Sequence, residues 1–450
     1  MTAAETFVDH ALGLAWEAVP AEARTAAATF LHDTLAVGAA GVRAPHADAI
    51  LTAARGWGSH GDALVLGRPG VRLAPAQAAF VNAFQMHAQE FDCVHEPAVL
   101  HPMATIGAAI LAEPGRHTGP EVLAAIVVGT DVSAGLGVAA TTPLKFFRPA
   151  TSGIFGAIAA VCRLRGMTHD QALDAFGYGL AFASGTMQAH EEGKPALPVQ
   201  IANAARGAVM AVDLAQGGLP GPRRSLDGTF GYLPLFETGF DLAPVLASLG
   251  TTFRIAEVSW KPFPTGRAGH GGITAIQALM ADQGATTHNL QSLTYAAPPL
   301  IGRLVGRPVV EAMTPAHARL CLPYLAAVTL TRGTVGLDDF TPASLADPAL
   351  LALAARVQVV DNGNPDPAAF VPATATAKLS DGREAQVTID AQLGSPARPL
   401  TREQHLEKAR ACLAYAGLEH AHLPLADLMA RFEALPDAAP AFRLAAGDPP

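Results

Sequence analysis

A succession of apolar segments of helical length fills the first half of this chain, and most are apolar on every face. Residues 21–41, 74–89, 101–113, 119–137, 151–166, 168–185 and 201–218 all carry apolar side chains at helical spacing. A helix without a polar face has to be enclosed by neighbours, so these segments predict a bundle with surrounded central helices. The punctuation agrees. Gly41 and Gly166 close two segments, Pro102 and Pro120 sit in first turns where a missing N–H costs little, and Thr168 with Gln171 spells a capping box. No repeat period is visible, which argues against a solenoid.

The composition supports a large, tightly packed core. Of 450 residues, 50% are hydrophobic and only 15% charged, while aromatics reach just 6%, so alanine and glycine must let helices approach closely. The most apolar stretch, residues 122–140, carries Asp131 near its centre and reads as a buried helix, not a membrane span. The first twenty residues hold Glu5 and Asp9 with no basic region, so no signal peptide is expected and a cytoplasmic location is the default. A net charge of −9 argues against nucleic acid or an anionic membrane as partner, though not against a small anionic substrate met by a local cationic cluster. Cys93, Cys162, Cys321 and Cys412 are widely spaced and form no CxxC pair; they read as small buried hydrophobes in a reducing compartment.

The pattern changes near residue 250. "TTFRIAEVSWKPFPTGRAGHGG" (251–272) predicts a strand, a Pro/Gly-rich loop and a helix from about Gly272. "NLQSLTYAAP" reads as a strand, 314–333 as a helix that Pro323 kinks, and 347–360 as a short helix capped by Asp347 that feeds a strand. "ATATAKLSDGREAQVTI" alternates around Asp-Gly, a hairpin signal. Residues 401–417 return to helix behind a second capping box, Thr401 with Gln404. The expected fold is mainly α: a large all-helical domain over 1–257 and 400–450, and a smaller α+β lid domain over 258–399.

Candidate chemistry collects in a few loops. "EFDCVHEPAVLHPMA" (90–104) places Glu90, Asp92, His95, Glu96 and His101 between two apolar helices. A metal site is one reading, but HExxH and CxxC are both absent; a helix-capping or solvated polar loop is another. The third reading is an acid/base cluster, in which an Asp92–His101 pair fixes the ring tautomer and raises its basicity. In "SWKPFPTGRAGHGG" (259–272), Lys261 and Arg267 flank a proline-stiffened loop whose open N–H groups suit a carboxylate or phosphate. The plain alternative is an exposed linker. Lys145 and Arg148 precede Thr151, Ser152 and Gly153 in a similar anion-friendly arrangement, or are ordinary surface charges. Lys194, in "EEGKPALP", reads as solvated.

These landmarks, in order, resemble the MmgE/PrpD family of 2-methylcitrate dehydratases, cis-aconitate decarboxylases and iminodisuccinate epimerases. The similarity runs through "FLHDTLAVGAAG", "NAFQMHAQEFDCVHEPAVLHPMA", "RPATSGIFGAIAAVCRLRGM", "QIANAARGAVMAVDLAQGGLPGP", "LDGTFGYL", "WKPFP" and "LCLPYLAAVTLTRGTVGLDDFT". The resemblance implies an all-helical domain, an α+β lid, a homodimer, and an interdomain site that needs no cofactor and no metal. It places His101, Lys261 and Tyr324 in the family's site pattern, Asp92 at a family aspartate and Glu90 where aspartate is usual. With the loop readings above, the catalytic candidates are His101, Asp92, Lys261 and Tyr324, and the substrate-binding candidates Glu90, His95, Arg148, Lys194 and Arg267. The chain departs from the family at Val94, where threonine is usual, and at Arg148, where histidine is common. Leu197 replaces a common lysine, and Gly266 a usual histidine.

The expectation is therefore a cofactor-independent lyase, a dehydratase or decarboxylase, that removes a proton next to a carboxylate on a small di- or tricarboxylate. His101 would be the base, oriented by Asp92, with Tyr324 relaying a second proton and the cations stabilising developing charge. An isomerase or epimerase using the same carbanion-like state is the alternative. A catalytically inactive family member acting as a binding protein is the rival from another class, and a metal-dependent hydrolase using His95 and His101 a third.

Overall fold

The computed structural model describes residues 1–449 apart from 59, 114, 143, 367 and 368. The chain forms two compact units. Met1–Ala88, Asp92–Ser259 and Arg402–Pro450 make the first; Gln89–Phe91 and Trp260–Thr401 make the second. The fold is mainly α, with a small sheet confined to the second unit and a two-residue ribbon in the first.

In the first unit, α1 (Ala3–Gly13), α2 (Ala21–Ala40) and α3 (Ala47–Gly56) lead into a minimal antiparallel ribbon, β1 (Ala63–Leu64) with β2 (Arg72–Leu73). Then come α4 (Pro75–His87), α5 (Pro102–Leu111), α6 (Gly119–Ala139), α7 (Arg148–Thr151), α8 (Gly153–Leu164), α9 (His169–Phe182), α10 (Gln188–Glu191) and α11 (Ala196–Gln216). Capping boxes start α1, α6 and α9, the last of them the Thr168–Gln171 pair expected from the sequence. Among the described residues, α6 alone has the length and apolarity to cross a membrane, yet 94% of its most apolar window is buried within the protein. Asp131 is tolerated there because it is partnered. His10 Nε2 lies 3.0 Å from one carboxylate oxygen, and the Arg254 backbone N–H donates to the other at 2.8 Å.

Small residues set the helix spacing. A Cβ built on Gly156 in α8 would come within 2.3 Å of the Gly129 carbonyl oxygen of α6, so these backbones touch where no side chain fits. The helix Arg402–Tyr415, where the chain re-enters the first unit, packs against α2. There Lys408 Nζ meets Asp33 Oδ1 at 2.7 Å, and His405 Nε2 lies 3.1 Å from His32 Nδ1, all four residues buried.

The second unit carries a four-stranded sheet in the order β4–β3–β5–β6, from β3 (Leu290–Ala297), β4 (Val357–Asp361), β5 (Ala373–Leu379) and β6 (Glu384–Ile389). β3 and β4 are parallel, which demands a crossover; helices including Leu322–Arg332 and Pro348–Ala354 supply it. The other pairs are antiparallel, and the Asp-Gly turn joins β5 to β6 as expected. The helix His270–Gln283 packs on β5 and β6, and Asp347 caps the Pro348 helix through the Ala349 N–H.

Two local expectations are corrected. No strand forms over 251–258: Arg254–Glu257 is a 3-10 turn, and Ser259 makes only an isolated bridge to Val94. Pro323 does not kink a long helix. It occupies the first turn of Leu322–Arg332, and the preceding residues form a separate short turn, Pro315–Ala318. A proline lacking its N–H is better placed where that N–H has no intrahelical partner.

Candidate active site

The polar loop after α4 is built by local hydrogen bonding. His95 and Leu100 exchange backbone hydrogen bonds in both directions, at 2.8 and 3.2 Å, closing a tight loop around Pro97. Val99 sits in the left-handed region at φ 50°, an unfavourable place for a β-branched residue. The loop delivers His101 as the residue before α5, with Pro102 starting the helix.

A buried triad forms at the base of this loop. Asp92 is fully buried. His87, the last residue of α4, places Nδ1 3.0 Å from Asp92 Oδ2 and 3.2 Å from Oδ1. His101 Nδ1 lies 3.2 Å from Asp92 Oδ2 and 3.1 Å from the Cys93 carbonyl oxygen. The two imidazoles meet edge to face at 4.7 Å. Exposure is graded: the side chains of His87 and Asp92 are 1% and 0% exposed, that of His101 14%. Burial alone would raise the Asp92 pKa, but the two histidines overcome it and hold the carboxyl well below the usual carboxylate range. Donor atoms of His87, Asp92 and His101 lie within 4.8 Å of one another. The contacts through Nδ1 have ordinary hydrogen-bond lengths, so N–H donation to a carboxylate accounts for the cluster.

His101 Nδ1 faces only acceptors in these contacts, a carboxylate and a carbonyl, so it carries the proton. The neutral ring then bears its basic lone pair on Nε2.

His95 is used differently from the expectation of substrate binding. Its Nδ1 accepts the Ala98 N–H at 3.2 Å, so Nε2 carries the proton and donates to Glu257 Oε2 at 2.8 Å. Its ring is buried and both nitrogens are engaged inside the protein, which makes it a brace of the loop.

Arg148 is likewise committed. Its guanidinium makes a two-point contact with Glu237 and donates to the Thr142 carbonyl. A buried, neutralised guanidinium is a poor carboxylate receptor, so the anion-friendly reading of this loop is corrected to a structural ion pair. Lys194 is exposed in the turn after α10.

The second unit contains the other predicted residues. Lys261 is fully buried and its Nζ lies 2.7 Å from Glu90 Oε2. Glu90 adopts a left-handed backbone at φ 51°. Arg319 holds this segment by donating to the carbonyls of Gln89 and Pro264, at 2.8 and 2.5 Å. Arg267 donates through Nη1 to the carbonyls of Trp260 and Leu393, at 3.2 and 2.7 Å. The Tyr324 hydroxyl, expected to relay a proton, donates to the Asp339 carbonyl at 2.6 Å in the unit's core, and burial pushes its pKa up.

Two of the departures have local reasons. Leu197 is buried at the start of α11, where an ammonium would lack solvent. A Cβ on Gly266 would meet Leu320 Cδ2 at 2.4 Å, so a histidine there requires Leu320 to move.

Residues 5–245 match the MmgE/PrpD N-terminal domain, and 263–426 match the MmgE/PrpD C-terminal domain. The chain belongs to the MmgE/PrpD family. Among its family relatives is the cis-aconitate decarboxylase-like protein oryM of Aspergillus oryzae, 27% identical over 419 residues, 87% of this chain and 86% of that protein. The cis-aconitate decarboxylase of Homo sapiens is 26% identical over 373 residues, 79% of this chain and 76% of that one. That of Aspergillus terreus is 28% identical over 287 residues, 60% and 58% of the two chains.

Sequence reasoning overlooked His87, Glu257 and Arg319. For His87 a signal existed: it is the last polar residue of an apolar helix, five positions before Asp92. Glu257 and Arg319 lie 162 and 230 residues from the groups they hold, and no local pattern marks them.

Proposed function

We propose that this MmgE/PrpD protein is a cofactor-independent lyase, a decarboxylase or dehydratase, acting on a small di- or tricarboxylate. The carrying observation is His101: its Nδ1 faces Asp92 and the Cys93 carbonyl, so Nε2 is the basic atom, on the most exposed side chain of an otherwise buried triad. In a dehydration, neutral Nε2 takes the proton from the carbon next to a carboxylate, the electron pair forms the alkene, and the departing hydroxide takes a proton from solvent to leave as water, the imidazolium later returning its own proton to solvent. In a decarboxylation His101 starts as the imidazolium, its Nε2 proton taken up from solvent; the C–C bond breaks, carbon dioxide departs, and Nε2 delivers that proton to the carbon that holds the electron pair. Asp92 stabilises the imidazolium in either direction. As with Arg148, the Lys261 ammonium is taken up by Glu90 and Arg267 Nη1 by the Trp260 and Leu393 carbonyls, so neither is given the carboxylate. The relatives are named cis-aconitate decarboxylase or cis-aconitate decarboxylase-like, which favours bond cleavage over isomerisation and makes cis-aconitate the first compound to try.

The test is proton NMR in heavy water with cis-aconitate and a panel of 2-hydroxy di- and tricarboxylates. Loss of a carboxylate with deuterium entering carbon identifies a decarboxylase. A new alkene from a hydroxy acid identifies a dehydratase. Recovery of every compound unchanged overturns the proposal.

A further inference from the structure

We infer that His87 is a positioning residue that shares the Asp92 carboxylate with His101 and so sets how strongly His101 holds a proton. The inference rests on the reading of His101 as the proton-transfer group.

The geometry carries it. Asp92 has two oxygens and receives two imidazole nitrogens. His87 Nδ1 lies within 3.2 Å of both oxygens, and His101 Nδ1 meets one of the same two, Oδ2, at 3.2 Å. A carboxylate oxygen that accepts a hydrogen bond has part of its charge drawn toward that donor, and less remains to stabilise a second one. His87 therefore competes with His101 for the same charge. In a plain His–Asp pair the carboxylate would act on one ring alone and hold the imidazolium more tightly. The second donor weakens that hold, which keeps Nε2 unprotonated to lower pH. His87 also touches the edge of the His101 ring and lies 6.0 Å from the Phe147 ring, so it fixes ring orientation as well as charge.

The other titratable groups around the triad stay constant in this comparison. They are the buried Cys93 thiol, the Asp33–Lys408 pair whose charges act on it, and on the same loop the His95–Glu257–Arg254 chain. α5 brings no charged residue, and Arg148 on α7 is neutralised by Glu237.

The experiment uses the full chain and two variants. His87→Phe keeps a ring against His101 and removes the N–H donor. His87→Asn keeps a donor at the position of Nδ1, and at a helix end asparagine is tolerated. Histidine side chains are followed by long-range proton–nitrogen NMR across pH, assigned with His87→Asn and His101→Ala. In the wild type, His87 and His101 should both show a protonated Nδ1. The His101 midpoint should move to higher pH in His87→Phe and return in His87→Asn. The limb of kcat/KM that His101 sets should move with it: the acid limb where Nε2 acts as base, costing about fivefold in rate below the inflection, and the alkaline limb where Nε2 acts as acid, gaining about fivefold above it, the worth of one hydrogen bond. An unprotonated His87 Nδ1 in the wild type overturns the inference even if His87→Phe fails to fold. So does an unchanged His101 midpoint in a folded His87→Phe. Because the titration needs no substrate, the two readings fail separately. A coupled triad with normal turnover in His101→Ala removes the proposed mechanism and leaves the coupling intact.

Discussion

Arg148 and Glu237 form a closed pair: Nε to Oε1 at 2.8 Å and Nη2 to Oε2 at 3.0 Å, with both side chains 5% exposed. Breaking one side of such a pair strands a buried charge. Arg148→Leu should cost about 3–5 kcal/mol in urea denaturation, and the double variant Arg148→Leu/Glu237→Leu should recover most of it. Equal losses in the single and double variants would show that the pair is not coupled.

His101→Ala removes the proposed proton-transfer atom. Turnover of the substrate found by NMR should fall by a factor of about 10² or more, with the fold unchanged by circular dichroism. Near-normal turnover would take His101 out of the chemistry.

Gly156 is a contact point of α6 and α8. Gly156→Ala pushes a Cβ into the Gly129 carbonyl and should destabilise the protein by about 1–3 kcal/mol. Gly13, with open space where its Cβ would stand, is the control: Gly13→Ala should be neutral or slightly stabilising.

Stability should fall in mild acid because of His32 and His405. Burial, then the charges of His405 and His422, lowers His32 to about 3. Burial, then Lys408 and Arg402, lowers His405 to about 4. In the unfolded chain both titrate near 6.5, so between roughly pH 6.5 and those values the unfolded state binds more protons. Their contribution is intact above that range and is lost as pH falls through it, at up to about 1.4 kcal/mol per pH unit for each histidine. Urea midpoints from pH 7.5 to 4.5 should show the decline, and His32→Phe should flatten it. A slope unchanged in His32→Phe would remove His32 from the account.

The four cysteines are free and buried. Burial raises Cys93 well above the ordinary thiol value, Cys162 and Cys412 to about 12, and Cys321 to about 11. Thiolates are the reactive species, so an alkylating reagent at pH 8 should label the folded protein slowly and all four sites after denaturation. Rapid labelling of any one in the folded state contradicts this burial.

Much of the fold was legible in the sequence because its signals are local. The caps at Thr168 and Asp347, the Asp-Gly hairpin and the apolar periodicity of α2, α4, α5, α6, α8, α9 and α11 each act over a few residues. The strand misread before Ser259 shows the limit. A short apolar run becomes a strand only where a partner offers a ladder, and here Val94 offers one isolated bridge. The site divided along the same line. Asp92 and His101 stood out as titratable residues in an apolar setting, and their pairing in the structure agrees with that reading. For Arg148, His95 and Tyr324 the structure adds partners, Glu237, Glu257 and the Asp339 carbonyl, because a sequence shows which groups can bind a substrate but not which are already occupied.

The chain itself determined helix content, helix ends and the crowding of polar groups after α4, since propensity, capping and hydrophobic period are properties of neighbouring residues. Only the tertiary structure decided that His87 joins Asp92 and His101, that Glu237 neutralises Arg148 and that Glu90 meets Lys261. Those outcomes depend on which buried charges the packing brings within about 3 Å, a distance at which one partner settles what a side chain is available to do.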